Sequence, residues 1–82
     1  MNKKHKGALA ELKASSWLLS KGFEVFRNVS PHGPVDIVAL NPKTKETILI
    51  DVKTTPSTEQ KKERGGIRIL SFDPLSGNCE LH

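Results

Sequence analysis

The sequence predicts an α/β (α+β) domain in which one N-terminal helix packs on a mixed β-sheet that ends in a C-terminal hairpin. Three observations predict it. A helix-period segment opens the chain, three short β-rich runs follow it between turn signals, and the closing residues 67–82 read as a strand, a turn and a returning strand. A length of 82 residues with no linker-like stretch and no internal repeat fits a single domain spanning 1–82. With 35% hydrophobic residues, the core of so short a chain is small, which favours self-association.

The helix is expected from about Lys6 to Ser20, in GALAELKASSWLLS, with Ala8, Leu12, Ser15 and Leu19 on one stripe and Gly22 as a stop. Glu11 shares a flank of that apolar face. For a single glutamate beside alanine and serine, the plain reading is a rim residue with its head in water. Residues 23–29 alternate around Phe23, Val25 and Val29, and Pro31-His32-Gly33-Pro34 breaks the run. VDIVAL and TILIDVKTT, over 35–40 and 47–55, flank Asn41-Pro42-Lys43-Thr44-Lys45-Glu46, whose composition is that of a hairpin loop. Past Pro56 the charged STEQKKERGG reads as a flexible loop or a short helix, and a turn is expected at 73–78.

If Leu40 faces Thr47 across the hairpin, Asp36 falls opposite Asp51. Alternation then sets Asp36, Val38 and Leu40 on one face with Leu49, Asp51 and Lys53, and leaves Val35, Ile37, Ala39, Ile48, Ile50 and Val52 as the core face. Opposed carboxylates repel and call for positive charge between them. Lys53 supplies it if the group is a surface ion cluster. A hard divalent cation such as Mg²⁺ supplies it if two carboxylates, waters and phosphate oxygens complete its shell.

Glu11 in the helix, Pro34-Val35-Asp36 at the start of one strand and Asp51-Val52-Lys53 in the next resemble the PD-(D/E)xK nuclease superfamily. Together with the order GALAELKASSWLLSKGFEVFRN, VDIVAL, ILIDVKTT, they are similar to archaeal Holliday junction resolvases and related small endonuclease-like domains over residues 6–55. The resemblance implies a restriction-endonuclease-like core and a Mg²⁺-dependent endodeoxyribonuclease, with Mn²⁺ as a substitute. It implies Asp36 and Asp51 as metal ligands, the Val52 carbonyl as a further one, Glu11 in the acidic cluster directly or through water, and Lys53 beside the attacking water. The expected substrate is branched or duplex DNA, in the manner of a junction resolvase. The alternatives are a sequence-reading homing or restriction-type endonuclease and a non-cleaving nucleic-acid-binding module of the same fold.

Ser30, His32, Thr55, Lys6 and Arg68 are candidate substrate contacts, and the basic segments Lys3–Lys6 and Lys61–Arg68 are candidate borders of a DNA channel. Trp17 reads as packing or an interface anchor. Two departures from the family pattern stand out: Val35 separates Pro34 from Asp36, and little sequence follows the motif, so the covering second helix is expected to be absent or reduced to residues 57–64. Both strands of a duplex need a site each, which implies a homodimer or higher symmetric oligomer.

Composition narrows the remaining classes. Thirteen Lys and Arg against nine Asp and Glu give a net charge of +4, which suits a polyanionic partner without naming one. The single Cys79 cannot form an internal disulfide, and one cysteine with three histidines offers no His/Cys zinc set. No run is apolar enough for a signal core or a membrane span, so an intracellular, cytoplasmic protein is expected, of a size that suits a phage or mobile element.

Overall fold

The computed structural model describes residues 2–30 and 33–82. Helix α1 spans Lys3–Ser20, beginning one turn earlier than the sequence suggests because Asn2 caps it: its Oδ1 accepts the His5 N–H at 2.9 Å. The helix ends in a Schellman arrangement, with Gly22 N–H donating to Leu19 O at 3.0 Å and Phe23 N–H to Leu18 O at 3.2 Å. Gly22 takes φ 92°, a left-handed conformation that a side chain would strain.

The helix turns a different stripe inward from the one expected. Ala10, Ala14 and Leu18 are buried, while Ala8 is exposed and Leu12 and Leu19 are 55% and 59% exposed. Apolar residues occur nearly all round this helix, so periodicity alone leaves its rotation open. The two alanines settle it by letting the helix backbone lie close to the sheet, and Leu18 fills the space beside Phe23. Glu11 still flanks the packed face, next to Ala10 and half-buried.

Five strands follow: β1 Glu24–Arg27, β2 Ile37–Leu40, β3 Thr47–Thr54, β4 Ile67–Phe72 and β5 Cys79–Leu81. They form one sheet in the order β1-β2-β3-β4-β5, antiparallel except for the parallel β3–β4 pair. The β2–β3 register is the expected one, with Leu40 facing Thr47 and Ile37 facing Ile50. Asn41 closes that hairpin, its Oδ1 accepting the Lys43 N–H at 2.9 Å and its own N–H donating to Glu46 O at 2.8 Å.

Ile37, Ala39, Ile48 and Ile50 form the buried face under α1 as alternation required, joined by Leu70 of β4, whereas Val52 packs against it half-buried and Val35, also half-buried, stays outside the cluster. β1 and β2 are shorter than expected. Val29, counted in the first run, is fully exposed, because Asn28 turns the chain out of β1 by donating from Nδ2 to Val35 O at 2.8 Å.

The parallel β3–β4 pair demands a crossover, and residues 55–66 provide it. Only Glu59–Lys61 is helical there, as a single 3₁₀ turn, so the second covering helix is reduced as the sequence suggested. The crossover carries Gln60, Lys62 and Arg64 over the face of the sheet opposite α1, where they line a recess with Asp51 and Lys53. The helix and this thin strap therefore sandwich the sheet unequally. No helix among the described residues is long and apolar enough to cross a membrane.

Candidate active site

The site forms where β2 and β3 part company. Asp36 N–H donates to Ile50 O at 2.8 Å, although Ile50 already faces Ile37, so the pairing slips by one residue just before β2. There the pairing stops. The Asp36 carboxylate takes over from the missing strand: Oδ2 accepts the Val52 N–H at 2.8 Å. Asn28 fixes the approach from the other side, donating its N–H to Asp36 O at 2.9 Å. Three successive strands thus hold one aspartate in place at the end of a ladder.

Asp51 meets Asp36 across this gap. Burial is the largest cause that pushes the Asp36 acid from 3.8 up to about 6. Contact with the Asp51 carboxylate and the more remote Glu11 charge push the same way, while the Val52 N–H pulls against them. Lys53, two residues on and on the same face, places Nζ 3.4 Å from Asp51 Oδ2. The structure brings Asp36, Asp51 and Lys53 together, although the β2–β3 register ends with Ile37 facing Ile50, one residue short of the expected Asp36–Asp51 pair.

Glu11 stands further back. It reaches the cluster from the helix side, held by Arg27 of β1 with Nη2 to Oε1 at 3.6 Å. Among the described residues no group of three or more His, Cys, Asp or Glu side chains is spaced to hold a metal, so the acidic centre is a pair with Glu11 as an outer charge.

The donor chemistry suits a hard divalent cation. Two half-buried carboxylates in contact carry a repulsion that a cation would relieve, and both offer oxygen only. The Val52 N–H points at Asp36, and in an extended strand the carbonyl of the same residue projects to the same edge. A third oxygen is thus directed into the gap.

The other expected contacts scatter. Arg68 aligns with Ile50 on the helix-covered face, where its Nε donates to His82 O at 2.9 Å; that is the opposite face from Asp51. Thr55 breaks the alternation with φ 43° and lines a neighbouring open cleft with Lys61 and Ser71. Lys6 is exposed near the start of α1. Ser30 is exposed in the loop before Asp36 and donates its N–H to Asn28 Oδ1 at 2.8 Å. His32 lies outside the described residues.

Sequence reasoning missed Arg27, at the end of β1, and Asn28, just beyond it, the two residues that fix Glu11 and Asp36. It covered Arg64 only within the basic segment Lys61–Arg68 and did not single it out as a residue lining the recess. Only the last left a readable signal, the Gly65-Gly66 pair that follows it.

One helix on a five-stranded mixed sheet, with an acidic pair and a lysine where the second and third strands diverge, is a restriction-endonuclease-like fold. Among solved structures the bacterial homing endonuclease I-Ssp6803I is similar to this chain, with a TM-score of 0.74 over 100% of this chain and 69% of that one, at 14% sequence identity. No protein-family model matches the chain, and no curated protein matches it. At this identity the likeness carries the fold, and the role of each residue has to come from its own geometry.

Proposed function

We propose that the protein is a metal-dependent endonuclease that hydrolyses DNA phosphodiester bonds and acts on duplex in the manner of homing or restriction-type enzymes. The observation that carries this reading is the contact between the Asp36 and Asp51 carboxylates, with Lys53 at 3.4 Å. The fold shared with a homing endonuclease favours duplex over a four-way junction as substrate, and the net charge of +4 favours a polyanion.

In this reading Asp36, Asp51 and the Val52 carbonyl hold Mg²⁺, or Mn²⁺ in its place. Bound there, the ion would acidify a water and polarise the scissile phosphate. The protein's own groups do the rest. Lys53 stabilises the charge that accumulates on the phosphate oxygens as water adds and the deoxyribose oxygen leaves. Asp51 keeps the Lys53 ammonium on the recess side of the strand, and Glu11 acts on the cluster through water, steadied by Arg27. Cutting both strands takes two such sites, so the working form is a symmetric dimer or larger assembly.

The test is cleavage of a randomised linear duplex library beside a four-way junction, each with Mg²⁺ and with EDTA. Cutting of the library at a recurring sequence, abolished by EDTA, is the expected result. Sequence-independent cutting of the junction with the duplex left intact would return the resolvase reading. Tight binding without cutting would make the protein a DNA-binding module.

A further inference from the structure

The backbone of Arg64, an exposed residue, is fixed by a tight turn. Its N–H donates to Ile67 O at 3.1 Å and its carbonyl accepts the Ile67 N–H at 3.0 Å, closing a two-residue turn ahead of β4. Gly65 and Gly66 take φ 59° and 81°, the paired positive values that such a hairpin turn needs. Opposed residues of an antiparallel pair present their side chains on one face. Ile67 aligns with Leu49, and Asp51 with Ile69, so Arg64 shares the face that carries Asp51 and Lys53.

With them it lines a recess of about 300 Å³ floored by Ile67 and Ile69. The hydrogen bonds of Ile67 to Arg64 run away from β3, so Arg64 lies two strand spacings, about 10 Å, across the sheet from the β3 backbone. At that backbone spacing Arg64 approaches the recess from the side opposite β3, so one strand of a polyanion can meet it and the Asp51–Lys53 pair together.

The crossover that delivers Arg64 is braced. Ser57 and Gln60 cap one another, with Ser57 N–H to Gln60 Oε1 at 2.9 Å and Gln60 N–H to Ser57 Oγ at 3.3 Å. Lys62 spends its charge on Glu59 at 3.1 Å. Arg64 makes no ion pair among the described residues, which leaves a planar, permanently charged fork of donors at the wall of the recess.

Building on the nuclease reading above, we propose that this recess is a second phosphate subsite, in which Arg64 binds a backbone phosphate flanking the cleaved one. A phosphate oxyanion matches the fork in charge and geometry. The apolar floor of Ile67 and Ile69 suits the sugar beside it.

The experiment is a binding titration in EDTA, where nothing is cut, using the duplex recovered from the cleavage library with one phosphate at a time replaced by a neutral methylphosphonate. One flanking position should weaken wild-type binding about tenfold. Arg64→Ala should weaken binding to unmodified duplex by a similar factor, lower the salt dependence by about one phosphate contact, and be indifferent to the methylphosphonate at that position. Gly65→Val keeps the guanidinium but strains the turn, and should reproduce most of the loss. Lys43→Ala, in the loop at the other end of β2, should remain sensitive to every methylphosphonate that affects the wild type.

Wild-type affinity in Arg64→Ala, or continued sensitivity of that variant to the same phosphate, would overturn the subsite and leave the nuclease reading standing. A wild-type protein that binds no DNA would take both down.

Discussion

Asp36→Asn should make the metal-free protein more stable at neutral pH while ending its activity. Asparagine keeps an oxygen for the Val52 N–H and gains an amide that can donate to Asp51, so the packing of the β2–β3 junction is retained. What disappears is a charge held at a cost. The folded acid titrates at about 6 against 3.8 when free, so between those values the folded state holds more proton than the unfolded one. Stability therefore falls as pH rises through that window and levels off above it. The difference corresponds to about 3 kcal/mol before allowance for solvent, and screening of a half-buried carboxylate leaves roughly 1–2 kcal/mol.

In a domain of this size that is a rise in Tm of about 5–10 °C. Thermal unfolding of both proteins in EDTA at pH 3.5, 5 and 7.5 provides the assay. The two should coincide at the lowest pH and diverge by the highest, and Mg²⁺ at saturating concentration should raise the wild type more than the variant. Equal melting temperatures at pH 7.5, or a gap that does not change with pH, would refute the reasoning.

Three further outcomes are expected. Lys53→Ala should lower the cleavage rate about 10²-fold or more with the fold intact, as single-turnover assays with circular dichroism would report; an unchanged rate would make the lysine a surface neutraliser. Leu18→Ala, at a fully buried position, should cost about 3 kcal/mol in urea unfolding, whereas Leu12→Ala on the exposed side should cost under about 0.5 kcal/mol. Light scattering at micromolar concentration should give at least a dimer mass, and a folded monomer that still cuts both strands would remove the paired-site reading.

The acidic pair was legible because a sheet has a period of two residues. With Leu40 against Thr47, counting gives the observed pairs as far as Ile37 and Ile50 and sets Asp51 and Lys53 on one face, but it does not give the one-residue slip at Asp36. The helix offered no such certainty, since Ala8, Leu12 and Leu19 make as good a stripe as Ala10, Ala14 and Leu18 until a sheet is there to be packed against. The same limit applied to Arg68: its charge was visible, but its face was fixed by the parallel alignment of β3 with β4, a long-range pairing that nothing local encodes. Asn28 and Arg27 act by reaching across the sheet and the helix respectively, and no spacing announces that. The Gly-Gly turn, by contrast, was there to be read, and it places Arg64 opposite Ile67.

The bond from Val52 N–H to Asp36 Oδ2 gives the protein an internal gauge. An amide proton whose acceptor is a carboxylate moves in the NMR spectrum when that carboxylate gains a proton or a cation. Val52 therefore reports the state of the acidic pair through the backbone, in the absence of DNA. Following its resonance through a pH titration and then a Mg²⁺ titration reads two equilibria at a single nucleus, and separates occupancy of the pair from everything that happens to a substrate.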